Sequence, residues 1–126
     1  GVGKEFIIFN YDALEMYRSV YICEGALNAL TIGDRGIATM GKVVSKYQLN
    51  ELIKAPCQRY IILLDFDAQK YAIELALKLI QYKKVKLVLF DDNRDVNDLG
   101  RKAVLKKVYE TRYATYQGLI KLKNSL

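Results

Sequence analysis

An α/β fold, with about four parallel strands flanked by helices, is what the sequence predicts, on three observations. Short apolar runs alternate with segments of helical period. Those runs are nearly continuous in apolar character, as expected of strands covered on both faces. The last 26 residues read as a basic amphipathic helix appended to the alternating part.

In chain order, residues 6–9 with Asn10-Tyr11-Asp12 suggest an extra edge strand and a turn. Strands are predicted at about 20–23, 37–40, 60–64 and 86–90. A helix over 25–30 follows the first of them. Ser45-Lys46-Tyr47-Gln48 matches the capping box S-x-x-Q, whose two side chains satisfy orphan N–H groups at a helix start, so a short helix to about Lys54 is expected. Ala68, Tyr71, Ala72, Leu75, Ala76 and Leu79 fall at i, i+3, i+4, i+7, i+8 and i+11, the apolar stripe of a helix packed on the sheet. From Arg101 onward, Ala103, Val104, Val108, Tyr109, Tyr113 and Tyr116 recur at roughly helical spacing among Lys102, Lys106, Lys107 and Arg112. This predicts one helix that Gly118 ends or bends, with its tyrosines forming a packing seam, base stacking being the alternative.

The 126 residues suit one hydrophobic core, and 52% hydrophobic with 27% charged residues, one Pro and 8 Gly suit a globular chain. No apolar run approaches the roughly 20 residues that span a bilayer. The opening Gly1-Val2-Gly3-Lys4-Glu5 lacks the apolar region of a signal peptide and reads as the cut end of a longer protein, so a cytoplasmic setting without membrane contact is expected. The absence of His removes Ser-His-Asp and Cys-His nucleophile systems and His-containing metal sites. Cys23 and Cys57 read as two reduced core thiols, with a disulfide between them as the alternative. The net charge of +6 is unevenly placed: residues 1–100 hold 13 basic and 13 acidic residues, residues 101–126 hold 7 and 1. Such a tail fits a polyanion partner or a solvated helix face.

Two apparent motifs fail on their chemistry. Gly36 to Lys42 fits G-x-x-x-x-G-K, but Val43 stands where a phosphate loop needs a hydroxyl on Mg²⁺, and residues 37–40 read as the strand itself. Asp91-Asp92-Asn93-Arg94-Asp95 resembles the start of a calcium loop, but Val96 replaces its glycine and Lys102 its final glutamate.

The informative pattern is acidic. Glu24 precedes Gly25 after the first strand, Asp65-Phe66-Asp67 follows the third, and Asp95 lies within Asn93-Arg94-Asp95-Val96-Asn97-Asp98 after the fourth. Open parallel sheets bind ligands beyond the carboxyl ends of their strands, so these acids can converge. If the strand stays extended through Asp65 and Asp67, their carboxylates point to one side and Phe66 to the other. Adjacent carboxylates repel unless neutralised, and Mg²⁺ favours a few carboxylates with waters and phosphates. Taken singly, each acid also has a structural role open to it: Asp67 as a helix cap, Glu24 at a turn, Asp95 in a polar loop.

Over about residues 21–100 this order resembles the Toprim domain, the metal-binding module of DNA primases, type IA and type II topoisomerases and certain nucleases. The shared elements are Glu24-Gly25, Gly41, Asp65-Phe66-Asp67 and the acid after the fourth strand. The segments 23–30, 38–48 and Asp95-Val96-Asn97-Asp98-Leu99-Gly100 are most similar to bacterial and phage-type primases, including primase-helicases. Asn28 replaces the usual Asp of the first motif, and the Gly often found after D-x-D is absent.

The resemblance implies three parts: residues 1–20 as the end of a preceding primase subdomain, 21–100 as the Toprim domain, and 101–126 as a basic helical extension. It implies one or two Mg²⁺ or Mn²⁺ ions on Asp65, Asp67 and Asp95, with Glu24 binding metal or assisting proton transfer, and Asn97, Asp98 and Lys42 as secondary candidates. The function implied is synthesis of RNA primers from ribonucleoside triphosphates on a single-stranded DNA template during replication, beside a fused or separate helicase. The alternatives are a Toprim nuclease using the same acids on water, or a non-catalytic scaffold binding nucleic acid or protein.

Overall fold

The computed structural model describes residues 3–126; Gly1 and Val2, at the start of the 1–20 segment, lie outside the described residues. The elements are α1 (Ala13–Met16), β1 (Ser19–Cys23), α2 (Ala26–Ile32), β2 (Gly36–Ala38), α3 (Lys46–Lys54), β3 (Arg59–Ile62), α4 (Gln69–Leu79), β4 (Lys84–Leu87), α5 (Val96–Leu99), α6 (Arg101–Glu110) and α7 (Tyr116–Ser125). Short 3₁₀ turns occupy Lys4–Phe6 and Phe66–Ala68.

The four strands are parallel and ordered β2-β1-β3-β4. The chain starts in the interior at β1, crosses to β2 on one side, then returns to β3 on the other. The winding therefore reverses between β1 and β3, which opens a crevice beyond their carboxyl ends.

Strand alternation divides the core into two layers. Val20, Ile22, Tyr60 and Ile62 face Leu14 of α1, Leu52 of α3, Leu75 and Leu79 of α4 and Leu119 of α7. Cys23, Ile61 and Leu63 face Ala29 of α2 and Val104 and Val108 of α6. Each fully buried Leu or Ile contributes about 1.5–3 kcal/mol through removal from water. Tyr60 is also fully buried and donates its hydroxyl to the Leu52 carbonyl at 2.6 Å, so the phenol is not left unpaired. Gly36 sits where α2 crosses β2, and a Cβ there would collide with the Ala29 carbonyl oxygen. This glycine serves close helix–strand packing, not a phosphate loop.

The capping box is formed as expected: Gln48 N–H donates to Ser45 Oγ at 3.1 Å, and Ser45 N–H donates to Gln48 Oε1 at 3.0 Å. The α4 stripe is buried at Ala72, Leu75, Ala76 and Leu79, with Tyr71 at its rim. Cys23 and Cys57 are free, buried thiols; burial, then the Asp65 charge, pushes Cys23 up to about 12. Among the described residues no helix is long and apolar enough to cross a membrane.

Four expectations are corrected. The N-terminal edge strand reduces to one antiparallel bridge, Phe9 to Ala38, because the chain turns at Asn10 into α1. The third strand does not extend through Asp67; Ala68 N–H donates to the Asp65 carbonyl and closes a 3₁₀ turn. The basic segment forms two helices, not one. It breaks at residues 111–115, where Thr115 Oγ1 caps α7 by accepting from Gly118 N–H, so Gly118 lies inside a helix. The break lets α6 bury Val104 and Val108 on one face while α7 buries Leu119 on the other. The tyrosines form no packing seam: Tyr109 is 87% exposed, Tyr116 58% and Tyr113 42%.

Candidate metal centre

Each acid is delivered by the end of a strand. Glu24 follows β1 directly, and Gly25 then caps α2 with extended backbone. Asp65 leaves the β3 segment in extended conformation, and the 3₁₀ turn swings Asp67 back beside it. A helical turn thus brings the two carboxylates together where extended geometry was expected to do so. One carboxylate oxygen each from Glu24, Asp65 and Asp67 lies within 4.8 Å of the other two. β1 and β3 are the adjacent strands that bound the crevice.

The electrostatics of this cluster favour a cation. Burial, then the Asp65 and Asp67 charges, raises Glu24 above the usual carboxylate range. Burial, then Asp95, Asp67 and Asp98, raises Asp65 in the same sense. Glu24 Oε1 is buried and has no hydrogen-bond partner, an unusual condition for a native polar atom. An unpaired buried oxygen facing two further carboxylates matches a hard, oxygen-seeking divalent ion such as Mg²⁺.

The remaining predicted residues surround the three. Asp95 lines an open cleft of about 400 Å³ with Asp65 and Asp67. Its carboxylate accepts from Asp98 N–H at 2.8 Å while Asp98 Oδ2 accepts from Asp95 N–H at 3.1 Å, so the two acids cap α5 reciprocally. Asn97 turns toward α2, its amide oxygen 3.0 Å from the Thr31 hydroxyl. Lys42 donates to Asp67 at 3.3 Å and is the cation nearest the cluster's exposed side.

Two supporting residues carry no signal in the acidic pattern itself. Asn28 is 5% exposed; its Nδ2 donates to Asp65 Oδ1 at 3.3 Å and its Oδ1 accepts from Asn97 N–H at 3.1 Å. It thereby ties the β3 and β4 ends of the site to α2. Its position four residues after Glu24, one turn into α2, is the sequence signal that could have identified it. Gln48, 1% exposed, donates to the Thr39 and Ile7 carbonyls, both at 2.7 Å. That anchors the loop whose Met40 N–H donates to the Glu24 carbonyl at 2.8 Å.

No protein-family model and no curated protein matches the chain. Solved structures do. The chain is similar to the Aquifex aeolicus primase zinc-binding and RNA polymerase domains, with TM-score 0.72, 20% identity, and coverage of 98% of this chain and 34% of that one. It is similar to the DnaG primase catalytic domain bound to single-stranded DNA, with TM-score 0.74, 16% identity, and coverage of 99% and 44%. The E. coli primase catalytic core gives TM-score 0.73 at 16% identity, again covering 99% and 44%. The fold is therefore that of bacterial primase catalytic cores, and the chain spans between about a third and a half of the chains it resembles.

Proposed function

We propose that this chain is the Toprim catalytic module of a DNA primase, joining ribonucleotides into primers on a single-stranded DNA template. The observation that carries this reading is the convergence of Glu24, Asp65 and Asp67 within 4.8 Å at the crevice between β1 and β3, in a chain with the fold of primase cores. A divalent ion bound there supplies Lewis-acid stabilisation of charge on the transferring phosphoryl oxygens.

In this reading Asp65 and Asp67 hold Mg²⁺ or Mn²⁺, and Asp95 contributes to a second ion from across the shared cleft. Glu24, held above the usual carboxylate range by burial and by the Asp65 and Asp67 charges, is as a carboxylate a stronger base than a free one, and in this reading binds metal or takes the proton of the attacking 3′-hydroxyl. Asn28 positions Asp65, and Lys42, paired with Asp67 on the exposed side of the cluster, would offer its ammonium to a phosphate. No His is required for this chemistry. Residues 21–100 form the Toprim unit, 1–20 the end of a preceding subdomain and 101–126 a basic extension. The setting is the cytoplasm, alongside a replicative helicase.

The test is primer synthesis on single-stranded DNA with ribonucleoside triphosphates, using this domain joined to its flanking primase regions. Asp65→Asn and Asp67→Asn are each expected to abolish synthesis while leaving circular dichroism unchanged. Undiminished synthesis by either variant refutes the assignment. Strand cleavage in place of synthesis would transfer the same acids to a nuclease.

A further inference from the structure

The two ends of the sheet differ in charge. Glu24, Asp65, Asp67 and Asp95 gather at the carboxyl end. The amino end, on the face that carries α2 and α6, presents Arg35, Arg59, Lys84, Lys86 and Arg101, none of which joins an ion pair among the described residues.

These cations follow a track. Ser19, Arg59 and Lys84 are paired in direct register across β1, β3 and β4 and so share one face, with Arg59 donating to Ser19 Oγ at 3.0 Å. Lys86, two residues along β4 on that same face, donates to the Val108 carbonyl of α6. Tyrosines stand at both ends. The Tyr113 ring lies 5.5 Å from Lys84 Nζ and 5.0 Å from Lys86 Nζ, and the Arg35 guanidinium lies 5.1 Å from the Tyr17 ring. Tyr17, Tyr21, Arg35 and Arg101, with Asp34 as the one acid, line a groove of about 530 Å³. Groove and row meet at β1, which supplies Tyr21 to one and Ser19 to the other. Four strands at about 4.8 Å spacing give a track on the order of 14 Å across.

We propose that this track is a nucleic-acid contact separate from the metal centre, holding a single strand across the amino end of the sheet. Guanidinium and ammonium groups take the phosphates, and the tyrosines offer faces to unpaired bases. An acidic protein segment would engage the cations but leave the tyrosines at both ends without a role. The acids of the metal centre take no part, so this contact stands or falls independently of the proposed chemistry.

The experiment is fluorescence anisotropy of a labelled oligothymidylate with this chain in EDTA, across a salt series. Arg35→Ala/Lys84→Ala is expected to weaken binding on the order of tenfold at low salt and to flatten the log–log salt slope by about 1.4, for two lost phosphate contacts. Lys102→Ala/Lys106→Ala removes equal charge from exposed positions of α6 outside the track and should change affinity less than twofold. Tyr113→Leu should weaken binding severalfold without changing the slope. Equal losses in the two double variants, no binding by the unaltered chain at low salt, or equal affinity for a blunt duplex would each overturn the proposal. Because EDTA removes divalent ions throughout, these outcomes report on the track separately from the metal centre.

Discussion

Asp65→Asn should stabilise the metal-free protein while removing its response to divalent ions. Asp65 shares the cluster with Glu24 and Asp67, each with an oxygen within 4.8 Å. At that distance, and with the effective dielectric of about 40–80 that suits half-exposed groups, each like-charge pair costs about 0.9–1.7 kcal/mol. The amide removes both repulsions and can still accept from Asn28. Lost attraction to Lys42 offsets part of the gain. A net 1–2 kcal/mol, at roughly 4 °C per kcal/mol for a domain of this size, raises Tm by about 4–8 °C in EDTA at pH 7.

The pH dependence has a fixed sign. Asp65 is raised above its ordinary 3.8, so the folded state binds more protons than the unfolded state and wild-type stability falls as pH rises through the raised value. The advantage of the variant is therefore full at neutral pH and disappears below about pH 4. Mg²⁺ at a hundred times its dissociation constant adds about 2.7 kcal/mol to a protein that binds it, enough to carry the wild type past the variant. Thermal melts at pH 3.5 and 7, with and without Mg²⁺, measure all of this. A variant that melts below wild type in EDTA at pH 7, or equal Mg²⁺ shifts in both, would refute the reasoning.

Two further substitutions probe the scaffold beneath the acids. Met40, 36% exposed, holds φ of 66°, a left-handed conformation that costs a side-chain-bearing residue about 1–2 kcal/mol; Met40→Gly should raise stability by about 1 kcal/mol in urea titrations while keeping the N–H donated to Glu24. Gln48→Ala leaves the Thr39 and Ile7 carbonyls without their buried donor and should cost about 2–3 kcal/mol by the same measurement, with α3 retained in the circular dichroism.

The parallel sheet, α3 and α4 were legible because each rests on local rules: apolar runs of strand length, a capping box, a stripe at helical spacing. The acids were legible because parallel strands must deliver their carboxyl ends to one side. Geometry within the cluster was not. Whether Asp65 and Asp67 meet through an extended strand or a 3₁₀ turn depends on one hydrogen bond, from Ala68 N–H to the Asp65 carbonyl, which no periodicity encodes. The break at 111–115 was hidden for a related reason. Helical spacing continues through Tyr109, Tyr113 and Tyr116, while the bond from Ala114 N–H to the Val85 carbonyl, the Thr115 cap and the burial of Leu119 on the opposite face go with its interruption. Asn28 was visible as a departure from a motif, but its double role required the positions of Asp65 and Asn97.

Both lateral strands of the sheet are met by segments from near the chain ends. Phe9 exchanges two hydrogen bonds with Ala38 beside β2, and Ala114 N–H donates to the Val85 carbonyl beside β4. An uncovered outer strand offers a template for pairing with another molecule, and here both are blunted by short crossings that continue into helices. Trimming to the 21–100 unit would remove both guards at once. A version of this domain that keeps both flanks shielded reaches from Phe9 through Leu119, the buried residue of the helix that follows the second crossing.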